Sequence, residues 1–150
     1  MDPNHFGQVG ASYALELALA GHFGPDTEVV LVKSRVSEDS TRMLKDVDLV
    51  VCNAEGTLHD RINPLVRLLF SVVALKKRLW ILNFSFFYPK KLGRTLRGIF
   101  KNAEHVAIRD SISAAIFKKT FHDIPFQRTA DLTFTLPAGN LDAKQSAGFG

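Results

Sequence analysis

The chain has 150 residues, of which 46% are hydrophobic and 23% are charged, so it suits a single folded domain and lacks the low hydrophobicity of disordered chains. Its formal net charge of +4 is modest, and without a nucleic-acid-binding motif it does not indicate a DNA or RNA partner. The single cysteine, Cys52, lies in an apolar run and has no intrachain partner, which is typical of a reducing compartment.

The first residues do not follow the basic, apolar, small-residue progression of a signal peptide, so we expect the chain to be cytoplasmic. The most apolar stretch, residues 65–75, is interrupted by Arg67 and closed by three basic residues. A spanning helix needs about 20 apolar residues. This stretch therefore predicts a buried core helix.

Short apolar runs alternate with helical patterns along the chain. The runs predict strands at 28–32, 47–52, 79–83, 105–108 and 126–129. The helical patterns lie at 11–22, after Ser37, after Asn63-Pro64, from Pro89 and at 111–121. This alternation predicts an α/β fold with a doubly wound, mainly parallel sheet and helices on both faces.

Several details of the helices follow from residue spacing. The first helix is expected to bury Ala11, Leu15, Ala18 and Leu19, and the last is capped by Asp110 or Ser111. The helix from Pro89 combines a buried stripe with a basic face formed by Lys90, Arg94, Arg97 and Lys101. Solvation is the favoured interpretation of that face, and contact with anionic lipid head groups is the alternative.

Ligands of open α/β sheets bind beyond the carboxyl ends of the strands, so the residues after each apolar run are candidate site residues. These positions are polar: Lys33-Ser34, Asn53 with Glu55 and Gly56, Asn83 with Ser85, Arg109-Asp110, and Asp131. Loop residues are also polar because they are solvated, and for Ser34 and Ser85 that interpretation is preferred.

The segment 53–57, Asn-Ala-Glu-Gly-Thr, is the strongest candidate. Gly56 permits a tight turn or a close approach of the backbone to a ligand, and Glu55 carries a carboxylate into the crevice. A strand-to-helix turn in which Glu55 caps exposed amides is an equally good interpretation. The nearby His59 and Asp60 are interpreted as structural.

Two other positions have two interpretations each. Arg109 could hold a substrate anion, or it could pair with Asp110 or Glu55 as a structural clamp. Asp131 could line the site or cap a turn. No Walker motif or Gly-x-Gly-x-x-Gly occurs, and the glycine-containing segment 5–10 only weakly resembles a phosphate-binding turn.

Three segments at predicted strand ends together resemble the polysaccharide pyruvyl transferase family. They are 48–59 (DLVVCNAEGTLH), 106–113 (VAIRDSIS) and 130–134 (ADLTF). A looser fourth piece is Asn4-x-x-Gly7 before the first helix, where the family more often has an acidic residue after the glycine and this chain has Gln8.

The resemblance implies an enzyme of GT-B-like architecture, with two Rossmann-like domains, that moves a pyruvyl group from phosphoenolpyruvate to two hydroxyls of a sugar and forms a ketal. The acceptor is a polysaccharide or its lipid-linked precursor, with the inner membrane surface as a second possible location. Phosphoenolpyruvate is the donor substrate, and no cofactor or metal is implied.

The resemblance also implies a domain organisation. Residues 1–137 are expected to form the N-terminal domain, and 138–150 a linker or the truncated start of a second domain. A strand before Asn4 and a C-terminal domain that binds the donor are expected to lie outside this sequence, so this fragment alone is expected to be inactive.

The site carried over from the resemblance is centred on Glu55, as an acid/base group or a contact to a sugar hydroxyl. The substrate-binding residues are Asn53, Gly56, Thr57, Asn83, Arg109, Asp131, Asn4 and Gly7. The alternative functions are another glycosyltransferase-like enzyme that uses a nucleotide sugar, and a non-catalytic module that binds a glycan or a partner.

Overall fold

The computed structural model describes residues 6–24, 26–31, 38–54, 58, 62–87 and 91–136. In chain order the elements are α1 (Phe6–Phe23), α2 (Glu38–Asp46), β1 (Leu49–Asn53), α3 (Pro64–Ala74), β2 (Arg78–Phe84), α4 (Gly93–Lys101), β3 (His105–Ile108), α5 (Ser111–Thr120), β4 (Gln127–Arg128) and a 3-10 helix (Leu132–Thr135). They form two compact units, Val32–Ala130 and a second unit of Met1–Leu31 with Asp131–Gly150. The expected domain at 1–137 and linker at 138–150 stay predictions, and 138–150 lie outside the described residues.

The first unit is built on a four-stranded parallel sheet in the order β1-β2-β3-β4. The α/β class, the parallel sheet and four of the predicted strands are confirmed. These four strands follow one another in chain order, so their own order contains no reversal. The doubly wound arrangement and the GT-B-like architecture stay predictions.

The strand predicted at 28–32 is wrong for its described part, because residues 27–31 form no strand. A strand needs a neighbour to satisfy its backbone amide and carbonyl groups, and none of the four described strands pairs with this run. Consistently, Val30 is 42% exposed and Leu31 is 65% exposed. An apolar run alone did not distinguish an exposed segment from a buried strand.

The core of the first unit lies between the sheet and its connecting helices. Along β2, Leu79 and Ile81 are fully buried, whereas the alternating Trp80 and Leu82 are only partly buried. The buried strand residues join the apolar stripes of α3, α4 and α5 and a cluster of phenylalanine rings made of Phe84, Phe86, Phe100, Phe117 and Phe121. The carboxyl end of β2 therefore packs within a cluster of closely spaced aromatic rings.

The predicted helix signals explain where the connecting helices begin. The Asn63 side chain accepts a hydrogen bond from the Val66 amide at 2.9 Å, and Pro64 occupies the first helical position, as expected. The helix expected from Pro89 begins instead at Gly93, and Leu92 at its N-cap position offers no capping side chain. Pro89 itself lies outside the described residues.

The end of α3 links this helix to α2. Lys76 has a φ of 54°, the left-handed conformation that ends many helices, and the Lys77 amide closes the turn onto the Val72 carbonyl at 3.1 Å. The Lys77 ammonium then donates to the carbonyls of Lys45 and Val47, at 2.6 and 3.0 Å. It donates hydrogen bonds to the Lys45 carbonyl in the last turn of α2, which has no partner within the helix, and to the Val47 carbonyl just after the helix.

The basic face expected on α4 is partly neutralised within the chain. Arg97 and Lys101 both contact the carboxylate of Asp123, the latter at 3.2 Å, while Arg94 is exposed. Lys90 lies outside the described residues. Two members of the predicted stripe therefore belong to a local ion cluster, which weakens the case for a continuous cationic surface.

In the second unit, α1 packs on the 3-10 helix. A Cβ added at Gly10 would meet Thr133 at 3.6 Å and Leu136 at 3.9 Å, which are ordinary contact distances, so the helix passes close to the 3-10 helix with room for a methyl group. The helix begins at Phe6 and not at Ala11. Among its residues 9–23, Ala11 and Ala14 are buried, the expected Leu15 and Leu19 are partly buried, and the expected Ala18 is exposed. Tertiary packing overrides the low helix propensity of the two glycines in the first turns.

Candidate functional site at the carboxyl edge of the sheet

The parallel strands bring three of the predicted site residues to one edge of the sheet. Asn53 ends β1 and pairs in register with Leu82, Asn83 is the next residue of β2, and Arg109 follows the end of β3. The Arg109 amide donates to the Phe84 carbonyl at 3.2 Å, which fixes the end of β3 against the end of β2. Polar groups from three consecutive strands thus meet where α/β sheets bind ligands.

Asn53 and Asn83 form a hydrogen-bonded amide pair, in which Asn83 is buried and Asn53 is partly buried. The Asn83 Nδ2 donates to Asn53 Oδ1 at 3.2 Å, and Asn83 is 1% exposed. The φ of Asn83 is 58°, in the left-handed region that asparagine tolerates better than most residues other than glycine. Such a conformation costs of the order of 1–3 kcal/mol, and conformations of this kind cluster at functional sites.

Arg109 is connected to Asp110 through a serine. Its Nε donates to Ser85 Oγ at 3.1 Å, and Ser85 Oγ donates in turn to Asp110 Oδ2 at 2.9 Å. Ser85 directly follows β2, and Arg109 and Asp110 directly follow β3. The three side chains form one chain of hydrogen bonds across the ends of two neighbouring strands.

Asp110 also caps α5. Its Oδ1 accepts from the Ser113 amide at 2.7 Å, and Ser113 Oγ accepts from the Phe86 amide at 2.8 Å. Partial burial opposes ionisation of Asp110, but hydrogen bonds from Ser113 and Ser85 and the charge of Arg109 together hold the pKa of its carboxyl below the ordinary value. The carboxylate is therefore ionised at neutral pH.

A family model described as polysaccharide pyruvyl transferase matches residues 10–147. The chain belongs to the polysaccharide pyruvyl transferase family. This confirms the resemblance drawn from the strand-end segments, and it makes the chain part of a transferase family of polysaccharide biosynthesis. Searches of curated proteins and of solved structures find no match.

The described residues include some of those that the pyruvyl transferase resemblance singled out. Asn53, Asn83 and Arg109 lie together at the sheet edge, as the sequence predicted. Glu55, Gly56, Thr57 and Asn4 lie outside the described residues, as do Lys33, Ser34, His59 and Asp60. For these positions the expected roles stay predictions.

Gly7 and Asp131 belong to the other unit. Gly7 lies inside the first turn of α1 and not before the helix, because the helix starts at Phe6. Asp131 caps the 3-10 helix: its Oδ1 accepts from the Thr133 amide at 3.0 Å and from the Thr133 hydroxyl at 2.9 Å. The turn-capping interpretation of Asp131 is the one that its contacts support, and its role in a cleft stays a prediction.

Sequence reasoning underestimated Ser85 and missed Ser113. Ser85 was interpreted mainly as a solvated loop residue, yet it bridges Arg109 and Asp110. The signal for Ser113 was its position three residues after the capping Asp110, where a hydroxyl lies over the first turn of the helix. Of the two interpretations of Arg109, the structural clamp with Asp110 has an observed counterpart, which runs through Ser85, and the contact to a substrate anion stays a prediction.

Other chemistry has little support among the described residues. Burial raises the pKa of the Cys52 thiol to about 12, so it packs as a small apolar group and is a poor nucleophile. Within the described ranges, no group of three or more His, Cys, Asp and Glu side chains is placed to hold a metal ion. In the same part of the chain, no helix has the length and apolar character needed to cross a membrane.

Proposed function

We propose that this chain is the N-terminal Rossmann-like domain of a GT-B-like enzyme that transfers a pyruvyl group from phosphoenolpyruvate to a sugar and forms a cyclic ketal. The observation that carries the proposal is the family match over residues 10–147. The position of Asn53, Asn83 and Arg109 at the carboxyl ends of three neighbouring strands supports it, because this is the edge at which such folds bind ligands.

The reaction needs acid/base groups and cations. Carbon 3 of phosphoenolpyruvate takes up a proton and becomes a methyl group, two sugar hydroxyl oxygens bond to carbon 2 as their protons leave, and the bond from carbon 2 to the phosphate oxygen breaks. Phosphate is released with the second of the two hydroxyl protons, while the first balances the proton added to carbon 3. The donor carries a carboxylate and a phosphate, which a guanidinium group binds well because its planar donors match their oxygens.

The residues divide between these tasks. Arg109 is proposed to contact an anionic group of the donor. The substrate-binding role of Asn53 and Asn83 is proposed to be carried by the partly buried Asn53, which orients a sugar hydroxyl while the buried Asn83 amide holds the Asn53 side chain in place. Glu55 is proposed to transfer a proton or to bind a sugar hydroxyl, within a loop shaped by Gly56 and Thr57. Asn4 and, in the second unit, Gly7 and Asp131 are proposed as further substrate-binding residues.

The proposal includes partners beyond this chain. A C-terminal domain is proposed to supply most of the cations for the donor, so that the present fragment alone is inactive. The acceptor is proposed to be a polysaccharide unit that is free or lipid-linked, handled in the cytoplasm or at the inner membrane surface, with peripheral contact to the membrane. No cofactor, metal or nucleic acid enters the proposed reaction.

The test is a transferase assay on the chain alone and on the chain joined to the C-terminal domain of its parent protein. Phosphate release from phosphoenolpyruvate is measured with a panel of acceptor glycans, and the ketal methyl group is detected by proton NMR. Ketal formation by the joined protein is the expected result. Turnover with nucleotide sugars instead would support a glycosyltransferase, and glycan binding without turnover would support a binding module.

The role of Glu55 has its own variant. Glu55→Gln keeps the size of the side chain but removes its acid/base function, and we expect turnover to fall by well over tenfold, since proton transfer contributes about 10²–10⁴-fold to such reactions. The matched control is Glu104→Gln. Glu104 precedes β3 and pairs with Arg78, the first residue of β2, at 2.8 Å, so it does not lie at the carboxyl edge. Turnover near that of the parent protein would remove the proton-transfer role.

A further inference from the structure

We propose that Ser85 and Asp110 are positioning residues of the transferase site, which orient the Arg109 guanidinium through a relay of two hydrogen bonds. The role of Arg109 in donor binding rests on the function proposed above. The relay itself is read from the described contacts and does not depend on that function.

The relay has a fixed direction. A serine hydroxyl has one proton and two lone pairs. Because Ser85 directs its proton to Asp110 Oδ2 at 2.9 Å, its lone pairs are available to the Arg109 Nε–H, which lies 3.1 Å away. Both bonds involve a charged group and are therefore stronger than bonds between neutral partners.

The far end of the relay is anchored by the backbone. Asp110 Oδ1 accepts from the Ser113 amide at 2.7 Å in the first turn of α5, and Ser113 Oγ accepts from the Phe86 amide at 2.8 Å. Ser113 is 4% exposed and Phe86 is fully buried. The segment that carries Ser85 is thus held on one side by β2 and on the other by α5, so the relay cannot shift without disturbing buried groups.

This arrangement gives Arg109 an orientation before a ligand arrives. A free arginine side chain loses several rotamers when it binds an anion, and that loss weakens binding. Anchoring Nε to Ser85 removes part of this cost in advance. A capping role alone would explain the contacts of Asp110 with Ser113, but it does not require a hydroxyl at position 85 or a bond from that hydroxyl to Arg109.

The relay is tested by NMR on the full 150-residue chain labelled with ¹⁵N. The Arg109 Nε–H signal is assigned by its loss in Arg109→Lys, and its exchange with water is measured. We expect exchange to be about tenfold faster in Ser85→Ala, since a hydrogen bond to a charged group is worth about that factor or more. Ser85→Thr, which keeps the hydroxyl, should restore slow exchange.

A second variant keeps the test valid if Ser85→Ala disturbs folding. Asp110→Asn retains a side-chain oxygen for the Ser113 amide, and asparagine is an equally good N-cap, but it removes the charge and the acceptor for the Ser85 proton. We expect faster Arg109 exchange with an intact α5. Lys77→Met, at the opposite end of β2, is the control and should leave the Arg109 signal unchanged.

The transferase assay separates this inference from the proposed function. Ser85→Ala should raise the KM for phosphoenolpyruvate about tenfold while kcat changes much less, with rescue in Ser85→Thr. Unchanged Arg109 exchange in both Ser85→Ala and Asp110→Asn would overturn the relay. Faster Arg109 exchange in Ser85→Ala would uphold the relay. If the KM for phosphoenolpyruvate were then unchanged in Ser85→Ala and also in Arg109→Lys, the role of Arg109 in donor binding would be rejected.

Discussion

Replacing Asn83 measures how much the side chain and the backbone conformation of this residue contribute to the free energy of unfolding. Asn83 is buried, has a φ of 58° and donates to Asn53 at 3.2 Å. Asn83→Ala removes the side-chain amide and keeps a Cβ in the left-handed region. Asn83→Gly removes the same amide and the Cβ as well. The difference between the two variants therefore isolates the backbone conformation.

The expected magnitudes follow from these two terms. Loss of the hydrogen bond costs about 0.5–1.5 kcal/mol in either variant. Alanine bears the full left-handed cost of ~1–2 kcal/mol, of which the parent asparagine already bears a part, whereas glycine avoids that cost but loses about 0.5–1 kcal/mol through the greater freedom of its unfolded state. We expect Asn83→Ala to be destabilised by roughly 2–3 kcal/mol and Asn83→Gly by roughly 1–2 kcal/mol.

The measurement is urea unfolding followed by circular dichroism, with the free energy of unfolding compared among the variants. Ser71, inside α3, provides the matched control: there Ser71→Gly should be less stable than Ser71→Ala by about 1 kcal/mol, because glycine is a poor helix residue. The order at position 83 should be the reverse. If Asn83→Ala equals or exceeds Asn83→Gly in stability, the left-handed conformation is not maintained in solution and the reasoning fails.

Two further predictions concern the end of α3 and the cap of α5. Lys76→Gly, at a φ of 54°, should raise the free energy of unfolding by about 0.5–1 kcal/mol, whereas Lys76→Ala should not; a loss in the glycine variant would contradict this. Asp110→Ala should cost about 1 kcal/mol at neutral pH through loss of the cap. Because the folded state lowers the pKa of Asp110, its ionised carboxylate stabilises the protein above the unfolded pKa of about 3.9, and this contribution is lost as pH falls below that value. The stability that the parent chain has relative to Asp110→Asn should fall over that acidic range, as measured by urea unfolding from pH 6 to about 2.5. A stability difference independent of pH would contradict a lowered pKa of Asp110 in the folded state.

Local patterns were sufficient to predict most of the first unit. The strands and the two capped helices were marked by uninterrupted apolar runs and by side chains with a specific capping function, such as Asn63 and Asp110. The strand prediction for 28–32 was wrong at the described residues 28–31, because strand formation depends on a neighbouring strand that an apolar run does not specify. The early start of α1 was missed because the packing of Gly10 against Thr133 involves residues far apart in sequence.

The sequence predicted which residues lie at the carboxyl edge of the sheet, but not which side chains form hydrogen bonds with one another there. The rule that ligands bind beyond the strand ends selected Asn53, Asn83 and Arg109, and parallel pairing brings them to one edge. Their actual partners depend on side-chain geometry between neighbouring strands. The bond between Ser85 and Asp110 joins residues 25 positions apart, and no local pattern encodes it.

The single tryptophan has a practical consequence for every experiment above. Trp80 lies near the amino end of β2, where its indole donates to Glu104 at 3.1 Å and its ring meets that of His105 edge-on at 4.8 Å. Three residues of strand, roughly 10 Å, separate it from Asn83. Its fluorescence should therefore respond when the sheet unfolds, and should change little when a ligand occupies the carboxyl edge. An optical signal for substrate binding has to be introduced at that edge by labelling or mutation.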